Sequence, residues 1–571
     1  MREEINLIIT GEAGQGLQTI GNALGKLFQR TGYHLFTDQD YMSRVRGGNN
    51  FYRLRVASRP VYAPRERADL VVCLDRESVE RQAGKAAGGG LVVLDQKTFQ
   101  LEARGPEYFD VPLHDLAERH GGSALYMNSV ASGLVAGLLR MDFDPVERII
   151  RASFAGKPDE VVDKNVNSAR AGYDHGRGHF RDDRFALPPG KPRETLLFNG
   201  SEAIGLGAIA AGCKFYSAYP MTPSTGVLNF LAHNMQAYGI LVEQAEDELA
   251  AVNMALGASF AGARAMTGTS GGGFALMTEG LSLAAMTETP IVIMDSQRPA
   301  PATGFPTRTE QADLDLVLHA GHGEFARAIF APGTPEEAFH LTRRAFNLAE
   351  KYQVPVIILN DQHLADCTRD LPGLDLEREP VERHLLPRGA KAGGYQRYAL
   401  TPDGVSPRAV PSWLETPIWA DSDEHTEEGH ITEDGALRVR MVEKRLNLKM
   451  AGLAREVVPP TVSNADGADL VLVGFGSNYG VLRETAEASP GGKKVGFVHL
   501  SQVWPFPAAE VIAALQNARK FLVVENNATG QLARLLQRET GLSPNGRILQ
   551  YDGRPFTLEG LARKIESELA S

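Results

Sequence analysis

The run Tyr219-Pro-Met-Thr-Pro-Ser-Thr225 has the residue types to hold a ligand. Pro220 and Pro223 set φ near about −65°, so the backbone is stiff, and Thr222 and Ser224 carry hydroxyls that can cap a helix or face a bound molecule. Ahead of the run, Lys214-Phe-Tyr-Ser-Ala218 reads as a buried strand. Behind it, Val227, Leu228, Leu231 and Met235 fall at helical spacing. Stiff backbone and hydroxyls at the carboxyl edge of a strand form a binding-site arrangement. Thr267-Gly-Thr-Ser-Gly-Gly-Gly273 repeats the pattern of a strand, a glycine-rich turn and a helix start. Arg298 follows the strand-like Ile291-Val-Ile-Met-Asp-Ser-Gln297, where an exposed arginine is the plain alternative to a ligand contact. Glu246, Asp247 and Glu248 precede a helix of small residues. Acids at a helix start ordinarily cap it or face its dipole, and that reading suits Glu246 and Asp247.

Two elements near the start favour an anion. Gly11-Glu-Ala-Gly14-Gln-Gly16 lies directly after the first strand and opens the first helix, where free backbone amides and the helix dipole can meet a phosphate. Its G-x-x-G-x-G spacing is neither the dinucleotide fingerprint nor a P-loop, so a tight strand–helix packing turn is the alternative. Ser43-Arg44-Val-Arg46-Gly47-Gly48 sets two arginines beside flexible backbone. A solvated turn is its bland reading. Together the two elements point to a phosphorylated ligand.

These residues need elements to position them. With 571 residues the chain exceeds one core. Strands are expected at Ile5–Ile9, Asp69–Leu74 and Leu91–Leu94, with helices at Leu17–Arg30 and Asn128–Leu139, as one α/β unit with a mostly parallel sheet. His175 to Arg184, with Leu187-Pro-Pro-Gly-Lys-Pro192 behind it, reads as a linker. A second α/β unit has strands at Cys213–Ala218, Leu241–Gln244, Arg264–Thr267, Ile291–Asp295 and Pro355–Asn360. Its helices are expected at Ser201–Ala211, Asp247–Phe260, Gly273–Met286 and Pro335–Tyr352. From Arg369 to about Pro460 the periodicity weakens and charge rises. A third unit carries strands at Leu470–Gly474, Val495–Leu500 and Phe521–Glu525. The fold class is therefore α/β, with three parallel-sheet domains.

Bulk composition narrows the function. A net charge of −11 with no basic stripe argues against nucleic acid as the main partner. No apolar run reaches the roughly 18 residues of a membrane span, and the start leads straight into a strand rather than a signal peptide, so a cytoplasmic protein is expected. Cys73, Cys213 and Cys367 are far apart, so neither a disulfide framework nor an iron–sulfur cluster can be built from them. His425 and His430 lie among acids in a loop-like stretch, where surface or interface contacts are expected, and their spacing is not that of a zinc site.

The Tyr-Pro-Met-Thr-Pro-Ser-Thr run, the Glu248 helix, Thr-Ser-Gly-Gly-Gly and the strand-end Arg298 together resemble the alpha subunit of 2-oxoacid:ferredoxin oxidoreductases. Gly11–Gly16 and Arg44–Gly48 resemble that family's gamma subunit, fused here ahead of alpha. Trp504-Pro-Phe-Pro507 and Glu525-Asn-Asn-Ala-Thr-Gly-Gln531 are similar to its transketolase-C-terminal-like domain. The resemblance divides the chain into a gamma-type domain over 1–185 on the coenzyme A side, a linker over 186–192, and a pyrimidine-binding-like alpha domain over 193–370. An irregular charged region over 371–462 and the transketolase-C-terminal-like domain over 463–571 follow.

The resemblance implies thiamine-diphosphate-dependent, reversible oxidative decarboxylation of a 2-oxoacid, with electrons passing to ferredoxin and the acyl group to coenzyme A. It makes Glu248 the catalytic partner of the cofactor's aminopyrimidine ring. Arg298 becomes the holder of the substrate carboxylate, and Thr222 a donor to substrate or intermediate. Gly14, Gly16, Arg46, Gly47 and Gly48 become coenzyme A contacts. No Gly-Asp-Gly motif for Mg²⁺ and diphosphate is present, nor are cysteines for a [4Fe–4S] cluster. Both are expected in a separate beta subunit, with assembly as a dimer of alpha–beta pairs. Arg397–Arg408 and Asp423–His430 resemble the 2-oxoglutarate type, for whose second carboxylate Arg308 or a beta-subunit cation is the candidate. Alternatives are the same chemistry on pyruvate or branched-chain oxoacids, a coenzyme A-binding module without redox chemistry, and a purely structural partner of beta.

Overall fold

The computed structural model describes residues 2–43, 47–390 and 393–570. They form two compact units. One comprises Met1–Phe198 with Asp366–Gly373 and Thr557–Arg563, and the other comprises Asn199–Ala365, Leu374–Phe556 and Lys564–Ser571.

The first unit holds an eight-stranded sheet, in the order Tyr108–Asp110, Ala86–Leu94, Ala68–Cys73, Glu4–Ala13, Gly47–Ala57, His34–Asp40, Thr368–Leu371 and Leu196–Asn199. The sheet is mixed rather than mostly parallel, a correction to the sequence reading. Glu4–Ala13 runs parallel to Ala68–Cys73 but antiparallel to Gly47–Ala57, which is antiparallel to His34–Asp40. The cause is connection length. A parallel crossover needs a dozen residues or more, and the short link between Asp40 and Gly47 permits only a hairpin. The helix Leu17–Arg30 forms as its spacing predicts. His175–Arg184 is a second correction, because the helix Asp159–His179 runs through its first half. Glycines of this helix and of the one it packs on serve close packing. A Cβ on Gly133 would stand 1.9 Å from the Ala169 carbonyl, and one on Gly172 would stand 2.1 Å from that of Val130, so the helices Met127–Leu138 and Asp159–His179 meet backbone to backbone. Only 180–195 is free of helix and strand, and Phe185 within it is fully buried.

The second unit holds a seven-stranded and a five-stranded sheet. In the larger sheet, Pro355–Asp361, Ile291–Gln297, Ala265–Thr269, Phe215–Ala218 and Leu241–Gln244 lie side by side, all parallel. Both faces are covered, which suits the near-continuous apolar runs of these strands. Ile291 and Ile293 enter one core, while Val292 and Met294 enter the other. The smaller sheet carries Leu470–Phe475, Val495–Leu500 and Phe521–Glu525. Its chain returns to the larger sheet where Gln502–Trp504 pairs antiparallel with Ala328–Phe330. Among the described residues no helix is long and apolar enough to cross a membrane.

The stretch over 371–462 is less irregular than its composition suggests. Gly435–Glu443, a π turn over Lys444–Leu448, and Lys449–Ala454 form one continuous helical run. Residues five apart diverge on an α-helix of 3.6 residues per turn. The wider π turn brings Lys449 back to the side of Lys444. Both ammonium groups reach the fully buried Glu288, Lys444 at 2.7 Å and Lys449 at 2.5 Å, and Arg397 donates to the Glu288 carbonyl at 2.7 Å. Burial raises the Glu288 carboxyl, and the two ammonium groups and Arg397 overcome it, holding the group well below the usual carboxylate range. This buried cluster fastens the charged stretch to the seven-stranded sheet. Glu288→Ala is expected to lower stability by about 3–5 kcal/mol in urea unfolding, because it strands buried ammonium groups. Adding Lys444→Met and Lys449→Met should recover most of the loss.

Candidate functional site at the strand ends

Three neighbouring parallel strands, Phe215–Ala218, Ala265–Thr269 and Ile291–Gln297, deliver the candidate residues to their shared carboxyl edge. After the first strand, Tyr219–Ser224 turns into the helix Thr225–Tyr238. Ser224 does not cap that helix. Its hydroxyl closes the turn onto the Met221 carbonyl at 2.6 Å, which leaves Thr222 half-buried at the tip.

The three acids at the next helix start divide by role. Glu246 is exposed, and Asp247 is the N-cap of Glu248–Phe260, accepting the Ala250 amide at 2.7 Å. Glu248, the first helical residue, is only 3% exposed. The Thr269 hydroxyl donates to its Oε1 at 3.4 Å, and among the described residues Glu248 has no ion-pair partner. A carboxylate buried without a cation is costly, so this one suits a ligand that brings a hydrogen-bond donor or a shared proton.

The glycine segment is itself helical, since Gly271–Gly273 form the first turn of Gly271–Leu276 and a separate helix, Thr278–Met286, follows. A Cβ at Gly273 would stand 2.0 Å from Thr269 Oγ1 and 2.4 Å from Glu248 Oε1, while Gly272 has nothing within 4 Å. Glycine at 273 therefore leaves the room that the Glu248 carboxylate and the Thr269 hydroxyl occupy. Arg298 leaves the end of the third strand and donates through Nη1 to the Thr222 carbonyl at 2.7 Å. Burial lowers its pKa, opposed by the charge of Asp313. Thr222 and Arg298 thus meet directly, and Glu248 meets the glycine turn through Thr269, whose hydroxyl lies 3.9 Å from Met221 Sδ. Arg308 stands apart on the turn that follows Phe305, bonded to Thr307 and packed against Gly553.

In the first unit the two glycine elements come together, because Ala13 pairs with Gly47 across the strands. The first element borders a cavity of about 340 Å³, lined among others by Glu12, Gly14, Gly16, Asp40, Met42 and Tyr52. Gly16 is the left-handed N-cap of Leu17–Arg30 (φ 71°), and that helix has no acid in its first turn. Gly47 (φ 72°) and Gly48 (φ 77°) are also left-handed. Arg44 and Arg46 lie outside the described residues.

Other candidates resolve plainly. The three cysteines are buried and form no disulfide among the described residues, and burial pushes the Cys213 thiol up to about 12. His425 is fully buried against Tyr398 with Nδ1 at 3.0 Å from the Asp423 carbonyl, so the surface contact expected of it is corrected to a core one. His430 is exposed and lies beside Trp419. Sequence reasoning missed Thr269 and Asp313, although both lie within or just beyond the motifs that drew attention.

Comparison with known proteins agrees with this geometry. Three family models match in succession. Pyruvate ferredoxin/flavodoxin oxidoreductase covers residues 6–175. Pyruvate flavodoxin/ferredoxin oxidoreductase, thiamine diP-bdg, covers 206–444. Pyruvate:ferredoxin oxidoreductase core domain II covers 468–560. The 2-oxoacid:ferredoxin oxidoreductase 2, subunit alpha, of Aeropyrum pernix is 32% identical over 98% of this chain and 98% of its own. The 2-oxoglutarate oxidoreductase subunit KorA of Mycobacterium tuberculosis is 28% identical over 100% of this chain and 92% of its own. Among solved structures, 2-oxoglutarate:ferredoxin oxidoreductase from Magnetococcus marinus, with 2-oxoglutarate, coenzyme A and succinyl-CoA bound, superposes over the full length of both chains with a TM-score of 0.92 at 31% identity.

The fold and the family matches together define an α/β oxidoreductase subunit with a thiamine-diphosphate-binding domain. The chain belongs to the 2-oxoacid:ferredoxin oxidoreductase family, as an alpha subunit, and so to a multi-subunit enzyme. The fit of Gly273 yields a direct test. Gly273→Ala should displace Glu248 and lower turnover of the assembled enzyme by about 10²-fold or more, the lower end of what a positioned acid–base group contributes. The far-UV circular dichroism of the subunit should not change.

Proposed function

We propose that this chain is the alpha subunit of a 2-oxoglutarate:ferredoxin oxidoreductase, which converts 2-oxoglutarate and coenzyme A reversibly to succinyl-CoA, CO₂ and reduced ferredoxin. The observation that carries the reading is the buried Glu248, which has no ion-pair partner among the described residues and lies against Gly273, where no side chain could fit. The full-length match to an enzyme solved with 2-oxoglutarate and coenzyme A supports the choice of substrates.

Thiamine diphosphate, when bound, supplies the electron sink for decarboxylation. Glu248 would hold its pyrimidine end and keep or release one proton there, a role typically worth about 10²–10⁴-fold in rate. Arg298 presents a planar guanidinium to the substrate carboxylate, and its bond to the Thr222 carbonyl fixes the direction of that fork. The Thr222 hydroxyl on the same turn donates to substrate. Arg308, half-buried beside Gly553, is this chain's candidate for the distal carboxylate, alone or with a cation of the beta subunit.

Coenzyme A is assigned to the cavity lined by Gly14 and Gly16, with Gly47 paired to its lining residue Ala13, Gly48 next in the chain, and Arg46 beside them in sequence. The left-handed glycines bare their amides to phosphate, and Glu12 and Asp40 offer acceptors to its amide and amino groups. Mg²⁺ and a [4Fe–4S] cluster are assigned to a separate beta subunit, because this chain has no Gly-Asp-Gly motif and only three scattered cysteines. Ferredoxin as electron acceptor, assembly as a dimer of alpha–beta pairs and a cytoplasmic location complete the reading.

Dye reduction by the assembled complex, supplied in turn with 2-oxoglutarate, pyruvate and a branched-chain oxoacid, tests the substrate. 2-Oxoglutarate should be turned over fastest, and equal rates on pyruvate would sink the choice. In the same assay Glu248→Gln should lose about 10²–10⁴-fold in kcat with assembly retained, and Arg298→Ala should raise the KM for the oxoacid. For coenzyme A, a Cβ at Gly16 would stand 2.1 Å from Asn128 Nδ2. Gly16→Ala is therefore expected to raise the KM for coenzyme A and leave that for the oxoacid unchanged.

A further inference from the structure

Glu248 needs an orientation as well as a position. The last torsion of a glutamate side chain is broad and two-fold, so nothing intrinsic to the residue decides which carboxylate oxygen faces a ligand. Here the contacts decide it. Oε1 is the inner oxygen, since a Cβ at Gly273 would stand 2.4 Å from it and 2.7 Å from the carboxyl carbon, and Oε2 is not among the three nearest atoms. Thr269 donates to that same Oε1 at 3.4 Å, and among the described residues no hydrogen bond reaches Oε2. Nor does Oε2 belong to the buried oxygens left without a partner, so it keeps an open side.

The fold gives Thr269 little freedom. It ends the strand Ala265–Thr269, is fully buried, and pairs in register with Asp295 of the neighbouring strand. Branching at Cβ restricts χ1. Three acceptors lie within reach of its hydroxyl: Glu248 Oε1 and the Ser270 carbonyl, both at 3.4 Å, and Met221 Sδ at 3.9 Å. A hydroxyl has one proton to give. The carboxylate takes it, because a bond to an ionised acceptor is roughly twice as strong as one between neutral groups, and thioether sulfur accepts weakly. The glycine turn is also held from its other side. A Cβ at Gly271 would stand 2.4 Å from Oδ2 of Asp313, whose side chain caps no amide of Leu314–His319 and whose amide donates to Gln297 Oε1 at 3.1 Å. The turn is thus pressed against the carboxylate rather than free to retreat from it.

We infer that Thr269 is a positioning residue for Glu248: its hydroxyl holds Oε1 against the glycine turn and leaves Oε2 as the one oxygen that meets the pyrimidine of thiamine diphosphate. This rests on the reading that Glu248 serves that cofactor. Oε1 accepts from Thr269 whether Oε2 carries a proton or has passed it to the ligand. The hydrogen bond therefore survives the transfer, and the orientation is not rebuilt in each turnover.

The test uses the assembled enzyme loaded with thiamine diphosphate. Exchange of the thiazolium C2 hydrogen for deuterium is followed without oxoacid, and kcat and KM for 2-oxoglutarate are measured beside it. Thr269→Val removes the donor and keeps the branched shape. It should slow C2 exchange and kcat by about 10- to 10²-fold, the range of a lost hydrogen bond to a charged group, and leave KM unchanged. Thr269→Ser returns the hydroxyl and should recover most of both rates. Calorimetric titration of the cofactor-free complex should show weaker binding of thiamine diphosphate to Thr269→Val than to Thr269→Ser. In a Glu248→Gln background Thr269→Val should slow exchange no further, because residues that act through one another do not add. Should Thr269→Val fail to assemble, Thr269→Ala carries the same expectations. Unchanged C2 exchange without the hydroxyl, no recovery in Thr269→Ser, equal cofactor affinity in the two variants, or an additive loss in the double variant would each overturn the inference. Full C2 exchange in Glu248→Gln alone would instead overturn the cofactor role of Glu248 on which it rests.

Discussion

Glu248 is buried, ionisable and without a cation among the described residues, and the surrounding structure is arranged around that imbalance. Leaving a carboxylate in such a place costs free energy unless a partner arrives from outside. The helix that begins with Glu248 is capped by Asp247, so Glu248 is not needed for capping and is free to point inward. Glycine at 273 is dictated by the same demand, since any side chain there would collide with Glu248 or Thr269. The rigidity of the site comes from the sheet beneath it, whose strands are buried on both faces.

The five-stranded sheet takes part at a distance. Gln311, on the segment between Arg308 and Asp313, accepts from the Asn526 amide and donates to the Phe475 carbonyl, while Asn527 donates to the Gln311 carbonyl. Glu525 anchors that loop by accepting the amides of Leu532 and Ala533. The C-terminal motif Glu525-Asn-Asn thus braces the stretch that carries Asp313. Its role in this chain is mechanical support for a site built on the neighbouring sheet.

Much of the fold was legible residue by residue. The helices Leu17–Arg30 and Pro335–Tyr352 and the strand Leu241–Gln244 fall where periodicity places them. Elsewhere the local signal misled for definable reasons. Gly176 reads as a breaker, but in place it lets one helix lie 2.9 Å (for an added Cβ) from the Leu134 carbonyl of another. Lys444 and Lys449 belong to the stretch that reads as irregular and charged, and only the π turn and the buried Glu288 make them interior. His425 reads as a surface residue because its neighbours are acids, yet it packs against Tyr398 in the interior.

The amino-acid order alone determined which residues could serve: the strand-end positions of Thr222 and Arg298, the glycines before an open helix end, the absence of cysteine ligands, and the family these features resemble. Local periodicity and turn chemistry act between near neighbours in the chain, so a sequence displays them directly. The tertiary structure decided which candidates meet. It joined Arg298 to Thr222, set Thr269 against Glu248, paired Ala13 with Gly47 beside one cavity, and turned Asp313 from its helix toward the glycine turn. Such encounters depend on strand order and on which side chains are denied water, and neither quantity is a property of any single stretch of sequence.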